Sequence, residues 1–229
     1  MWLLKTKQSK EIIMEIFKKH VEKFLKKAEP INSESWKNWN IPNVTHGGYP
    51  RNSIFFSEAL VLYSLANEYN IDCFIESGVF RGGSTALWCK TFNDKKLFSV
   101  DYVREGNNPR EKWNNVRNKL TPLYKNITFI EGNGNEILPK IISENSDKRF
   151  GVFVDGPKDS QGLSLMEKCF SFENVYFSSL HDYTHETYFS TRNNVEFNKQ
   201  FGYLNEYHAQ TNQYPFGPGL TVIDKNKLI

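Results

Sequence analysis

The chain has 229 residues, enough for one α/β domain with some decoration and a properly buried core. Its 39% hydrophobic and 24% charged residues are ordinary for a globular protein, and a formal net charge of +3 is too small to indicate nucleic acid or an anionic surface as partner. Cys73, Cys89 and Cys169 are odd in number and lack CxxC or zinc-finger spacing, so buried free thiols in a reducing compartment are expected. No apolar run approaches the roughly 20 residues that span a bilayer. Met1–Leu4 is too short for a signal-peptide core, so the expected compartment is the cytoplasm.

From Ser9 to Lys27, Ile12, Ile13, Ile16, Phe17, Val21, Phe24 and Leu25 recur at helical spacing with lysines opposite. Glu11, Glu15 and Glu22 interrupt the basic face, which suits solvent better than a membrane. Glu29 to Pro50, rich in Pro, Asn, Gly and Trp, is expected to be an irregular arm, and a second helix runs from about Ser53 to Glu68. The remainder alternates. Strands are predicted at Cys73–Glu76, Lys96–Val100, Asn126–Ile130, Phe150–Val154 and Val175–Leu180. Helices are predicted between them at Ser84–Thr91, Arg110–Leu120, Glu136–Ser143 and Gln161–Phe170. Such alternation with short loops predicts a mostly parallel sheet covered on both faces. The turn cluster Tyr214–Gly219 leads into Leu220–Ile223, an expected antiparallel strand at the sheet edge. No internal repeat is present.

In doubly wound sheets, ligands sit beyond the carboxyl ends of the strands, where strand order reverses. The first strand here runs into Glu76-Ser-Gly78-Val-Phe-Arg81-Gly82-Gly83-Ser84. Gly78 and Gly82 permit a tight turn, and the amides of Gly83 and Ser84 at a helix start can bind a carboxylate. Three residues separate Gly78 from Gly82, so the dinucleotide fingerprint GxGxxG is absent and a pyrophosphate fits poorly. Asp101 ends the second strand about twenty residues on, where a carboxylate accepts from both hydroxyls of a ribose. The third strand ends in Glu131-Gly132-Asn133, where an adenine can lie against the backbone. The fourth ends in Asp155-Gly-Pro and the fifth in His181-Asp182-Tyr183.

This constellation resembles the class I S-adenosylmethionine-dependent methyltransferases, over about Ile71 to Asp182. Within them it is most similar to the small-molecule and sugar O-methyltransferases related to macrolide-sugar and cephalosporin-pathway enzymes. The resemblance implies a Rossmann-like, doubly wound, mostly parallel seven-stranded sheet with an N-terminal helical extension. Residues 1–52 would form the helix and arm, and 53–229 the methyltransferase domain. It implies that Glu76, Gly78 and Gly82 contact the methionine part of S-adenosylmethionine, that Asp101 binds ribose, and that Asn133, next to Gly132, lies near adenine. It also implies a divalent metal such as Mg²⁺ held by Asp155 and Asp182. The chain has His-Asp where the family usually has two acidic residues. A small-molecule or glycan acceptor and a homodimer are the implied partners, with no stable membrane insertion. Nucleic acid is not expected, because no Asn-Pro-Pro-Tyr-type motif is present.

Methyl transfer to a hydroxyl needs alignment of donor and acceptor, plus a base or a metal that lowers the acceptor's pKa. His181, Asp155 and Asp182 are the expected catalytic set, with His185 a weaker base. His46–Arg51 suits a lid or a plain turn, and Arg81 suits a cofactor contact or a solvated loop side chain. Tyr183, Tyr188, Tyr207 and His208 suit an acceptor pocket or ordinary packing. Two other functions stay open: a Rossmann-type nucleotide-cofactor oxidoreductase, and a non-catalytic binding protein that keeps the fold.

Overall fold

The structure, a computed structural model, describes residues 2–28, 54–79, 82–103, 109–207, 219–226 and 228–229. The expected arm, the His46–Arg51 segment, Arg81 and His208 lie outside the described residues.

Chain order begins with α1 (Trp2–Ala28) and α2 (Phe56–Glu68). The alternating part is β1 (Cys73–Ser77), α3 (Gly83–Thr91), β2 (Lys96–Asp101), α4 (Pro109–Leu123), β3 (Ile127–Glu131), α5 (Gly134–Glu144), β4 (Phe150–Val154), α6 (Asp159–Phe170) and β5 (Val175–Leu180). A short strand β6 (Phe189–Ser190), helix α7 (Val195–Phe201), a 3₁₀ turn (Gly202–Tyr207) and β7 (Thr221–Asp224) complete it.

The strands form one seven-stranded sheet in the order β3-β2-β1-β4-β5-β7-β6. Strands β1 to β5 are mutually parallel; β7 runs antiparallel to both β5 and β6. This is the expected Rossmann-like, doubly wound architecture. One expectation is corrected: β7 is not an edge strand. Phe189–Ser190 pairs with Thr221–Val222 on its outer side, and β5 takes the inner side. Val222 is buried accordingly, as an interior strand requires.

Side-chain alternation along β1 divides the core. Phe74 faces one apolar cluster with α1, α2, α3 and α4, and Ile75 faces a second with α5 and α6. Strands β1 and β4 are buried at every position; β4 reads accordingly as a continuous apolar run, while β1 ends in the buried polar pair Glu76 and Ser77. The N-terminal helix belongs to the first cluster. Phe17 and Phe24 are fully buried, and Phe17 meets Phe197 and Phe201 of α7 edge-on at 5.3 and 5.9 Å. Helix α7 escaped the sequence reading, although Asn194 caps it by accepting from the Phe197 amide at 3.0 Å. All three cysteines are free and buried, as expected. Burial pushes the Cys73 thiol up to about 11 and that of Cys169 to about 12, so both stay inert thiols.

Candidate active site

The β1–α3 turn is set by two glycines with left-handed backbone. Gly78 has φ +95°, and a Cβ there would lie 2.8 Å from the Gly156 nitrogen. Only glycine lets the β1 and β4 ends approach this closely. Gly82 has φ +75°, and a Cβ would strike Val116 of α4 at 2.4 Å. The turn is tied down by Gly78 N–H donating to the Val100 carbonyl at 2.9 Å and Val79 N–H to the Asp101 carboxylate at 3.2 Å. The Ser77 hydroxyl donates to the Gly156 carbonyl across the same junction.

Glu76 lies beneath this turn, only 1% exposed. Its carboxylate accepts from Ser84 (2.5 Å), Thr85 (2.6 Å), Trp88 Nε1 (3.0 Å) and Ser99 (3.2 Å). Burial pushes its carboxyl up to about 7, against the opposing pull of the Ser84 and Thr85 hydrogen bonds. Glu76 and the Ser84 side chain therefore face inward, binding β1, β2 and α3 together rather than lining an open space.

The open space lies above them. A cleft of about 630 Å³ sits at the carboxyl ends of β1 to β4, lined by Ser77, Gly78, Asp101, Tyr102, Asn133 and Glu136 among others. The location is the switch point, since β2 and β4 leave β1 on opposite sides. Asn133 is the N-cap of α5, its Oδ1 accepting from the Asn135 amide at 3.0 Å. Gly132 donates its amide to the Asp101 carbonyl at 2.9 Å, which joins the ends of β2 and β3. The cleft thus brings together Gly78, Asp101 and Asn133, predicted from motifs far apart in sequence. Its charged lining consists of Asp101 and Glu136, with no cation among the described lining residues.

Beyond β4 and β5 a charged cluster forms. His181 Nδ1 lies 2.9 Å from Asp155 Oδ1 and 3.5 Å from Asp182 Oδ2, and its Nε2 lies 3.2 Å from Glu58 Oε2. Glu58, at the start of α2, is completely buried. It also accepts from the amides of Phe55 at 3.0 Å and Gly219 at 2.6 Å. A carboxylate thus lies against each ring nitrogen of His181, an arrangement that favours the charged ring. Burial alone would lower the His181 pKa, but the Asp155 and Glu58 carboxylates outweigh it and raise it well above 6.5. Burial would likewise raise the Asp155 carboxyl, yet His181 and Lys158 hold it below its ordinary value. Two carboxylates against the ring favour its charged form, which disfavours the general-base role expected of His181.

Lys158, which the sequence reading passed over, lies between the two expected metal ligands. Its ammonium donates to Asp155 and, at 2.9 Å, to Asp182 Oδ2. Its signal was present as the fourth residue of Asp155-Gly-Pro-Lys158. Donor atoms of Asp155, His181 and Asp182 fall within 4.8 Å of one another, a spacing that suits a metal ion. With the ammonium between the carboxylates and a carboxylate against each ring nitrogen of His181, this set does not fit a divalent cation. Nearby, Tyr183, His185 and Tyr188 stack in series with centroid spacings of 6.4 and 4.9 Å. Tyr102 and Glu58 belong to no motif in the sequence, and only the fold brings them to the cleft and to His181.

No family model matches the chain, and no curated protein matches it in sequence. Solved structures do match. The O-methyltransferase TomG from Streptomyces achromogenes, involved in tomaymycin synthesis and solved with S-adenosylmethionine, is 15% identical, with 83% of this chain and 86% of that one aligned and a TM-score of 0.46. A Staphylococcus aureus protein classed provisionally as a caffeoyl-CoA O-methyltransferase is 14% identical, covering 93% and 98% of the two chains at a TM-score of 0.45. A cyclopropane-fatty-acyl-phospholipid synthase-like protein from Lactobacillus casei is 13% identical at a TM-score of 0.36, and the match spans 56% of this chain and only about half, 49%, of that one. No described helix is long and apolar enough to cross a membrane.

Proposed function

We propose that the chain is an S-adenosylmethionine-dependent O-methyltransferase acting on a small hydroxylated acceptor. The observation that carries this is the cleft at the switch point, whose described charged lining is two carboxylates, Asp101 and Glu136. A dinucleotide needs a GxGxxG turn that brings its pyrophosphate onto the helix start, and that spacing is absent here, whereas a ribose suits Asp101.

Asp101 would accept from the ribose hydroxyls, held in place by the Val79 amide. Asn133 and Tyr102 would flank the adenine, and the α3 start at Gly82, Gly83 and Ser84 would face the methionine end. Glu76 supports that end from beneath, through Ser84 and Thr85. When bound, S-adenosylmethionine supplies an electrophilic methyl on sulfonium, so the protein's task is to align an acceptor oxygen and exclude water. The stacked Tyr183, His185 and Tyr188 offer aromatic faces beside Asp182, which supports a sugar or glycan ring as acceptor. His181 and Asp155 would position this rim rather than carry the proton.

Calorimetric titration with S-adenosylhomocysteine tests the proposal. Micromolar binding is expected, weakened about tenfold or more in Asp101→Ala, the loss of a charged hydrogen-bond acceptor. No binding to the wild type sinks the proposal, and nicotinamide cofactors become the next ligands to try.

A further inference from the structure

We propose that Lys158 supplies the fixed positive charge at the acceptor end of the cleft, in the place of a divalent cation. The sequence resemblance leads to a metal between Asp155 and Asp182, and the geometry puts the Lys158 ammonium there. Its nitrogen donates to Asp155 Oδ1 and to Asp182 Oδ2, the carboxylates that would ligate the ion. The third group of that set, His181, is engaged at Nδ1 by Asp155 and at Nε2 by the buried Glu58. A hard cation such as Mg²⁺ demands near-octahedral oxygen ligation and keeps several waters. It would have to evict the ammonium and break the His181–Asp155 contact before reaching two carboxylate oxygens.

The lysine arrives there by construction. It stands three residues after Asp155, at the residue that precedes α6, so the loop that delivers the first carboxylate also delivers its counter-ion. An ammonium carries three donors. Two are taken by Asp155 and Asp182, and the side chain is 45% exposed, which leaves the third within reach of a ligand. Lys158 can thus hold an acceptor oxygen by a charge-assisted hydrogen bond. That last role rests on the methyltransferase proposal; the exclusion of metal does not.

Manganese titration followed by electron paramagnetic resonance separates the two. Wild-type protein is expected to bind Mn²⁺ weakly. Lys158→Met, which keeps the apolar stem and removes the charge, is expected to bind it about tenfold more tightly or better. Adding Asp182→Asn to that variant should abolish the gain. Unchanged affinity in Lys158→Met overturns the proposal. So does Mn²⁺ held tightly by the wild type and released by Asp182→Asn, a comparison that stands even if Lys158→Met does not fold. S-adenosylhomocysteine binding is measured on the same samples. Its absence would remove the methyltransferase proposal and leave the manganese result to judge Lys158 by itself.

Discussion

Glu76 shows how one buried carboxylate can tie a turn to the elements around it. Its two oxygens satisfy three hydroxyls and the Trp88 indole N–H. Hydroxyls can reverse their role toward an amide, whereas an indole N–H cannot. Glu76→Gln should therefore cost little, and Glu76→Leu about 3 kcal/mol in urea unfolding, because it strands buried donors. The pH dependence has a definite sign. The folded carboxyl titrates near 7 against 4.5 for an ordinary glutamate, so the folded state binds more protons in between. Stability should fall as pH rises from about 4.5 to 7, and Glu76→Gln should flatten that slope. An unchanged slope would mean that Glu76 is not the titrating group. At this scale the sequence was only partly legible. Gly78 and Asp101 stood at motif positions and do line the cleft. Glu76 occupied a motif position too, yet its partners Ser84, Thr85, Trp88 and Ser99 arrive from two other elements, and no spacing rule reveals that they converge.

Between elements, Glu58 is the joint. It takes the amide that opens α2, the Gly219 amide that leads into β7, and His181 at the end of β5. Removing a fully buried acceptor from three donors, one of them cationic, should cost about 3 kcal/mol in Glu58→Ala, read as a lower urea midpoint. His181 should then titrate closer to its ordinary 6.5, since one of the two carboxylates that raise it is gone; the imidazole proton resonances report this. In the wild type the raised value means that this ion pairing stabilises fully below pH 6.5 and fades only as pH climbs through the folded value. A midpoint and titration unchanged in Glu58→Ala would show that the joint does not exist. The regular strands and helices were legible because their periods are. β4 and β5 match the expected Phe150–Val154 and Val175–Leu180 residue for residue. β6, two residues long, has no period to read, and α7 presents only Phe197 and Phe201 as its buried residues. Missing β6 is what turned β7 into an expected edge strand.

Across the whole molecule, the sheet order differs from the dinucleotide order 3-2-1-4-5-6 by one antiparallel strand inserted between the fifth and sixth. The switch point is untouched by that insertion, so the cleft sits beyond β1 to β4 while β5 and β7 carry the rim with His181 and Gly219. In the proposed function, cofactor and acceptor would then occupy adjoining parts of one sheet. The N-terminal helix α1 contributes Phe17 and Phe24 to the same apolar cluster as Phe74 of β1, so it builds the scaffold on which those parts rest.

The central claim is that the cleft between Gly78, Asp101 and Asn133 receives S-adenosylmethionine. An experimental structure of the protein with S-adenosylhomocysteine tests it most directly. The account predicts ribose hydroxyls within hydrogen-bond distance of Asp101, the purine between Tyr102 and Asn133, and Lys158 still bridging Asp155 and Asp182. A ligand bound elsewhere, or a purine lying away from the ends of β2 and β3, would contradict it.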